Sequence, residues 1–135
     1  MDSPFLYHEI GMVMVNSEAL QKNYQFRTVY NRGKSVANKA IVLFVLKNGG
    51  QTNRFGVSVS KKIGNAVVRN RVRRRLKESY RLMEAQLSVG YDIVALARVP
   101  ITTLTYAELD SGLARLLQKQ GLSPQLVEKM TEQKQ

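Results

Sequence analysis

The feature that most constrains this chain lies at residues 65–87. Val68, Val72, Leu76, Tyr80, Met83 and Leu87 recur at spacings of 4, 4, 4, 3 and 4, so at about 100° per residue they share one helix face. Arg71, Arg73, Arg74, Arg75, Lys77 and Arg81 fall on the remaining arc, with Arg69 nearer the apolar edge. Asn65 is the expected N-cap and Gly90 the expected stop. Such a helix must lie on an apolar layer and turn a cationic surface outward. In residues 60–78, SKKIGNAVVRNRVRRRLKE, eight cations precede the only acid, Glu78, and like charges stand four apart at 69/73, 71/75 and 73/77. Each such pair opposes the helix by roughly 0.2–0.5 kcal/mol, a repulsion that a bound polyanion relieves. A merely solvated face would interleave Glu with Lys. Five of the eight are arginines, suited to bidentate phosphate contacts, and Lys61 and Lys62 precede the helix N-terminus, where free amides also attract phosphate.

The rest of the chain supplies the layer. Residues 39–47, KAIVLFVLK, read as a buried strand, and 54–60 alternate, with Phe55, Val57 and Val59 facing one way. Joined by NGGQTN, the two read as an antiparallel hairpin with a long loop. Residues 33–38 are a weaker candidate for an edge strand. Asn23 can cap a short helix to about residue 31, with Phe26 and Tyr30 on one face and Gly33 past its end. Residues 91–98, YDIVALAR, form another buried strand closed by Pro100. A capping box, Thr105 to Glu108, opens a last helix with Leu109, Leu113, Leu116 and Leu117 on its apolar face, and Gly121 stops it. Strands mixed with helices in one short chain imply a small sheet covered by helices. Residues 20–121 form one domain, with 1–19 expected to be a flexible arm or leader and 122–135 a polar tail.

The net charge of +11 belongs to the middle of the chain: residues 22–81 carry 16 basic and 1 acidic side chain, whereas 1–21 sum to −3 and 82–135 to −1. That distribution points to a polyanionic partner. With no Cys and only one His, His8, the chain lacks disulfides, thiolate metal sites and the means for His-based acid/base work. No apolar run reaches membrane-spanning length and no secretory signal is evident, so the expected location is the cytoplasm. A leucine-zipper DNA binder is excluded because Leu76 and Met83 make one heptad step before Gly90 breaks it. A nuclear-localisation patch would not need helical order.

Residues 61–71, KKIGNAVVRNR, preceded by GVSVS at 56–60, carry a specific resemblance. Across roughly residues 20–117 the chain resembles the protein subunit of bacterial ribonuclease P, supported by Phe26 and Tyr30 before Gly33, SVAN at 35–38 and ARVP at 97–100. The resemblance implies an enzyme in which a large RNA performs Mg²⁺-dependent hydrolysis, removing the 5′ leader of precursor tRNA while the protein assists. The Mg²⁺ would be held mainly by the RNA and substrate. The partners would be the catalytic RNA and precursor tRNA, with no membrane and no DNA, and the protein would contribute no catalytic residue and no metal ligand. The implied fold is α+β, a two-layer α/β sandwich of order α-β-β-(β)-α-β-α. Its βαβ crossover through the basic helix would be left-handed, as in the second domain of a ribosomal small-subunit protein, against the usual hand.

Two surfaces follow from the resemblance. Arg69, Asn70, Arg71, Arg73, Arg74, Arg75 and Lys77 would meet the catalytic RNA. A cleft between the first helix and the open sheet face, with Phe26, Tyr30, Phe44, Ser58, Ser60, Lys61 and Lys62, would take the single-stranded leader. From the residues alone, Phe26, Tyr30 and Phe44 read as ordinary core packing. Two other classes compete: a noncatalytic RNA-binding protein of ribosomal or RNA-chaperone type, and a protein-only nuclease, for which the basic core offers only Glu78 as a Mg²⁺ ligand.

Overall fold

The computed structural model describes residues 17–122; His8, the rest of the arm to residue 16 and the tail from residue 123 lie outside the described residues. The elements run β1 (Ser17–Ala19), α1 (Asn23–Arg32), β2 (Lys34–Ala37), β3 (Ile41–Lys47), β4 (Asn53–Ser58), α2 (Ala66–Met83), β5 (Tyr91–Ala97) and α3 (Tyr106–Lys119), with 3-10 turns at Lys61–Ile63, Glu84–Gln86 and Val99–Thr103. The five strands form one mixed sheet in the order β1-β4-β5-β3-β2. β4 is parallel to both β1 and β5, and β3 is antiparallel to both β5 and β2. Among the described residues no helix is long and apolar enough to cross a membrane.

The expected β3/β4 hairpin does not form, because β5 lies between the two strands. β5 is buried along most of its length and so belongs at the sheet centre, where neighbours cover both of its faces. The loop at 48–52 therefore crosses two strand spacings, about 10 Å, which a two-residue turn could not do. Asn48 fastens it, accepting from the Gly50 amide at 2.7 Å and donating to Asp92 at 2.9 Å. Asp92 is buried and takes two bonds from its register partner Arg54, at 2.7 and 2.6 Å, which pins β4 against β5.

One sheet face carries the main core. Ile41, Leu43, Phe55, Ile93 and Ala95 meet Leu76 and Tyr80 of α2 and Leu113, Leu116 and Leu117 of α3. Each fully buried side chain of this size contributes roughly 1.5–3 kcal/mol. The other face is not left fully open: α1 covers part of it, its Val29 buried with Leu20 and with Val94 of β5, and Phe26, Tyr30, Phe44 and Leu46 packed around them. Gly33 allows this, since a Cβ there would stand 2.5 Å from the Val29 carbonyl oxygen and 3.0 Å from that of Val45. The caps of the two long helices form as expected: Asn65 accepts from the Val68 amide at 3.0 Å, and the Thr105/Glu108 box closes with bonds of 2.9 and 3.1 Å. α2 ends at Met83 rather than running on towards Gly90. Leu87 is extended yet still buried, so the apolar stripe outlasts the helix.

The domain also begins earlier than residue 20, because Ser17–Ala19 pair in parallel with Asn53–Phe55. A three-residue strand without periodicity leaves no sequence signature; a tertiary contact holds it. The Ser17 hydroxyl meets the Tyr80 hydroxyl at 2.7 Å, and the Tyr80 ring stacks on Phe55 at 3.9 Å between centroids. Burial raises the Tyr80 hydroxyl pKa to about 12, against the partial offset of the Ser17 bond. The fold thus favours the neutral phenol. Its stabilising effect is complete below about pH 10 and is lost as pH rises towards the folded value. In denaturation at about pH 9 and about pH 11.5, Tyr80→Phe is expected to lose roughly 2 kcal/mol less than the parent chain; equal losses would refute the buried-phenol assignment.

Candidate RNA interface

The first surface is a groove of about 540 Å³ beside α1, lined by Asn23, Phe26, Arg27, Tyr30, Val57, Ser58, Val59 and Arg73. The short β1 helps create it: pairing stops at Phe55, so the outer edge of β4 beyond that point has no strand beside it among the described residues. Residues 23, 26, 27 and 30 are spaced 3, 1 and 3, one stripe of α1 turned to the groove. Phe26 and Tyr30 are half-buried, with ring centroids 6.4 Å apart. Two arginines and no carboxylate line the groove. Its size, flat rings and positive rim suit a single nucleic-acid strand.

Three expectations shift here. Asn23 is the first residue of α1 rather than its cap, and its side chain is free to line the groove. The amides of Gln21 and Lys22 are satisfied by Gln25 Oε1, both at 3.0 Å. Phe44 does not line the groove; it stands edge-on behind Tyr30 at 4.9 Å and supports that ring. Ser60, Lys61 and Lys62 also stay outside the lining, exposed on the turn that carries the chain from β4 to α2. Asn23, Arg27, Val57 and Val59 line the groove without having been marked as site residues from the sequence, although the 23/26/27/30 spacing makes Arg27 a neighbour of both rings.

Helix α2 divides its cations between two sides. Arg73 reaches the α1 groove, held by a 2.9 Å bond to Asn70 Oδ1, so it belongs with the aromatic surface as much as with the helix. Arg69 donates to the Gly64 carbonyl at 2.9 Å, which braces the turn ahead of the helix. Arg75 turns the other way and forms an ion pair with Asp110 of α3 at 2.7 Å, with only 15% of its side chain exposed. It is a tie between helices before it is a contact for RNA. Asn70, Arg71 and Arg74 are exposed, and they line a second groove of about 690 Å³ between α2 and the start of α3; Lys77 is half-buried.

Among the described residues no three His, Cys, Asp or Glu side chains are grouped as metal ligands. Of the acids, Asp92 on β5 is paired with Arg54 of β4, Asp110 with Arg75 and Glu78 with Arg81, while Glu84, just past α2, is buried and engaged within the fold. The Arg81 bonds hold the Glu78 carboxyl below its usual range. These residues do not fit a protein-held Mg²⁺.

The sequence model of the family described as Ribonuclease P matches residues 14–121. The chain is 45% identical over 109 residues to the ribonuclease P protein component of Alkaliphilus metalliredigens, covering 81% of this chain and 98% of that protein. It is 50% identical over 104 residues to that of Clostridium botulinum strain 657, covering 76% and 94%. Among solved structures, the Staphylococcus aureus RNase P protein superposes with a TM-score of 0.71 at 32% identity, covering 77% of this chain and 95% of that one. A match of this extent sets aside the ribosomal and chaperone alternatives, and the chain belongs to the ribonuclease P protein-component family.

Proposed function

We propose that this accessory subunit of ribonuclease P works through two RNA surfaces: the α1 groove takes the single-stranded 5′ leader of precursor tRNA, and the exposed cations of α2 dock the catalytic RNA. The observation that carries the reading is the groove itself, in which Phe26 and Tyr30 offer stacking rings between Arg27 and Arg73 with no acid in the lining. Bases stack on such rings with little sequence preference, which suits a site that must accept the leaders of many tRNAs. Ser58 and Arg73 lie where they can meet the leader's backbone. The hydrolysis and its Mg²⁺ belong to the catalytic RNA and substrate, and the protein binds and positions.

The test is cleavage of precursor tRNA by a bacterial ribonuclease P RNA at low Mg²⁺, with and without this chain. Stimulation is expected, and its absence would sink the reading. In the reconstituted enzyme, Phe26→Ala and Tyr30→Ala should each weaken binding of leader-bearing tRNA roughly 5- to 150-fold and leave leaderless tRNA unchanged. If both substrates lose equally, the groove is not the leader site.

A further inference from the structure

The second groove holds a residue with no role so far. Tyr106 opens α3 and is 66% exposed, across from Asn70, Arg71 and Arg74 of α2. Scattered exposed aromatics are common and need no explanation. This one differs because it is fixed and backed by charge. The Arg75 guanidinium lies 4.0 Å from the ring centroid, and Arg75 is itself anchored to Asp110 at 2.7 Å and to the Tyr106 carbonyl at 3.3 Å. One face of the ring is thereby occupied by a cation, while the exposure leaves the opposite face to solvent. The acid in the groove, Glu78, is neutralised by Arg81 through bonds of 3.1 and 2.5 Å. The side chains of Arg71 and Arg74 make no ion pair or hydrogen bond among the described residues.

We propose that Tyr106 is a stacking platform for one unpaired nucleotide of the catalytic RNA, whose flanking phosphates are taken by Arg71 and Arg74. The proposal rests on the reading of α2 as the helix that docks that RNA. A flat ring beside two free guanidiniums matches a base with its phosphates, and stacking on an open ring requires a base that is not paired. The occupant is the catalytic RNA rather than the leader because the stripe of residues 67, 70, 71, 74 and 78 is centred about 115° around the helix axis from Arg73, which lines the leader groove. Arg75 is a positioning residue, holding the ring at the angle the base meets.

The experiment titrates the full chain against a bacterial ribonuclease P RNA at several salt concentrations, with thermal denaturation confirming that each variant folds. Tyr106→Ala should weaken binding roughly 5- to 150-fold with an unchanged salt slope, because stacking releases no counterions. Tyr106→Phe keeps the platform and should bind within about twofold of the parent chain. Arg71→Gln and Arg74→Gln should each lower the slope by about 0.7–0.9. Chemical probing of the RNA should show an unpaired nucleotide protected by the parent and Tyr106→Phe proteins and re-exposed with Tyr106→Ala. If the arginine variants weaken binding and Tyr106→Ala does not, the platform is wrong while the docking role of α2 stands. If none of them weakens binding, the docking role fails first. If Tyr106→Phe loses as much as Tyr106→Ala, the hydroxyl rather than the ring makes the contact and the stacking proposal is overturned.

Discussion

Raising the salt from about 50 to about 200 mM is expected to weaken the complex with the catalytic RNA roughly one-hundredfold to five-hundredfold. Residues 60–78 hold eight cations, but Arg75 is engaged with Asp110, Arg73 lines the leader groove and Lys77 is engaged within the fold. Five remain to meet phosphate: Lys61, Lys62, Arg69, whose bond to the neutral Gly64 carbonyl leaves its charge unmatched, Arg71 and Arg74. Five contacts give a slope of log affinity on log salt of about −3.5 to −4.5, and a fourfold rise in salt then produces the stated loss. Single replacements sharpen the expectation. Arg74→Gln should lower the slope by close to one contact, whereas Arg75→Gln should leave it nearly unchanged, since its charge is already matched within the fold. A measured slope of about −2 or shallower would show that phosphate contacts of this helix do not dominate docking.

Gly56→Val is expected to destabilise the fold by about 3 kcal/mol and to abolish the preference for leader-bearing tRNA. Gly56 is buried on β4 beneath α1, and even a bare Cβ there would stand 2.7 and 2.8 Å from ring carbons of Phe26 and 2.9 Å from the Leu20 Cβ. Valine adds two methyl groups to that clash. Either α1 lifts from the sheet or Phe26 turns out of the groove, and both moves separate the Phe26 and Tyr30 rings proposed to stack on the leader. Docking of the catalytic RNA should keep its salt slope, because the five cations assigned to it lie on α2 and the turn before it. Denaturant unfolding and the ratio of affinities for tRNA with and without leader read the two effects. A variant as stable as the parent would contradict the close packing of α1 on β4.

The long helices were legible in the sequence because their signals are local. Asn65 and the Thr105/Glu108 box satisfy amides three residues away, and the stripes of α2 and α3 repeat within a turn. β2 was a faint candidate, and β1 had no signal at all. The pairing of β3 was misread because alternation reports which face a residue takes, not which strand lies beside it. At the candidate site, the rings of Phe26 and Tyr30 were visible as a spaced pair. Their role as groove rather than core depends on β1 stopping short at Ala19, which no residue of α1 encodes. Likewise the cationic arc of α2 was evident, but not its division into Arg73 on one side and Arg75 on the other.

By itself the sequence determined where the helices lie, which faces are buried, where the positive charge collects and, through residues 56–71, which family the chain resembles. Each of these is written in spacings of a few residues, within which the backbone geometry of a helix or strand sets the direction of every side chain. Only the tertiary structure decided that β5 separates β3 from β4, that Ser17 meets Tyr80, and that Arg75 joins Asp110 beneath the ring of Tyr106. Those contacts join residues 63 and 35 positions apart, and they exist because burying the two sheet faces brings distant segments together. Local periodicity cannot specify which distant residues meet.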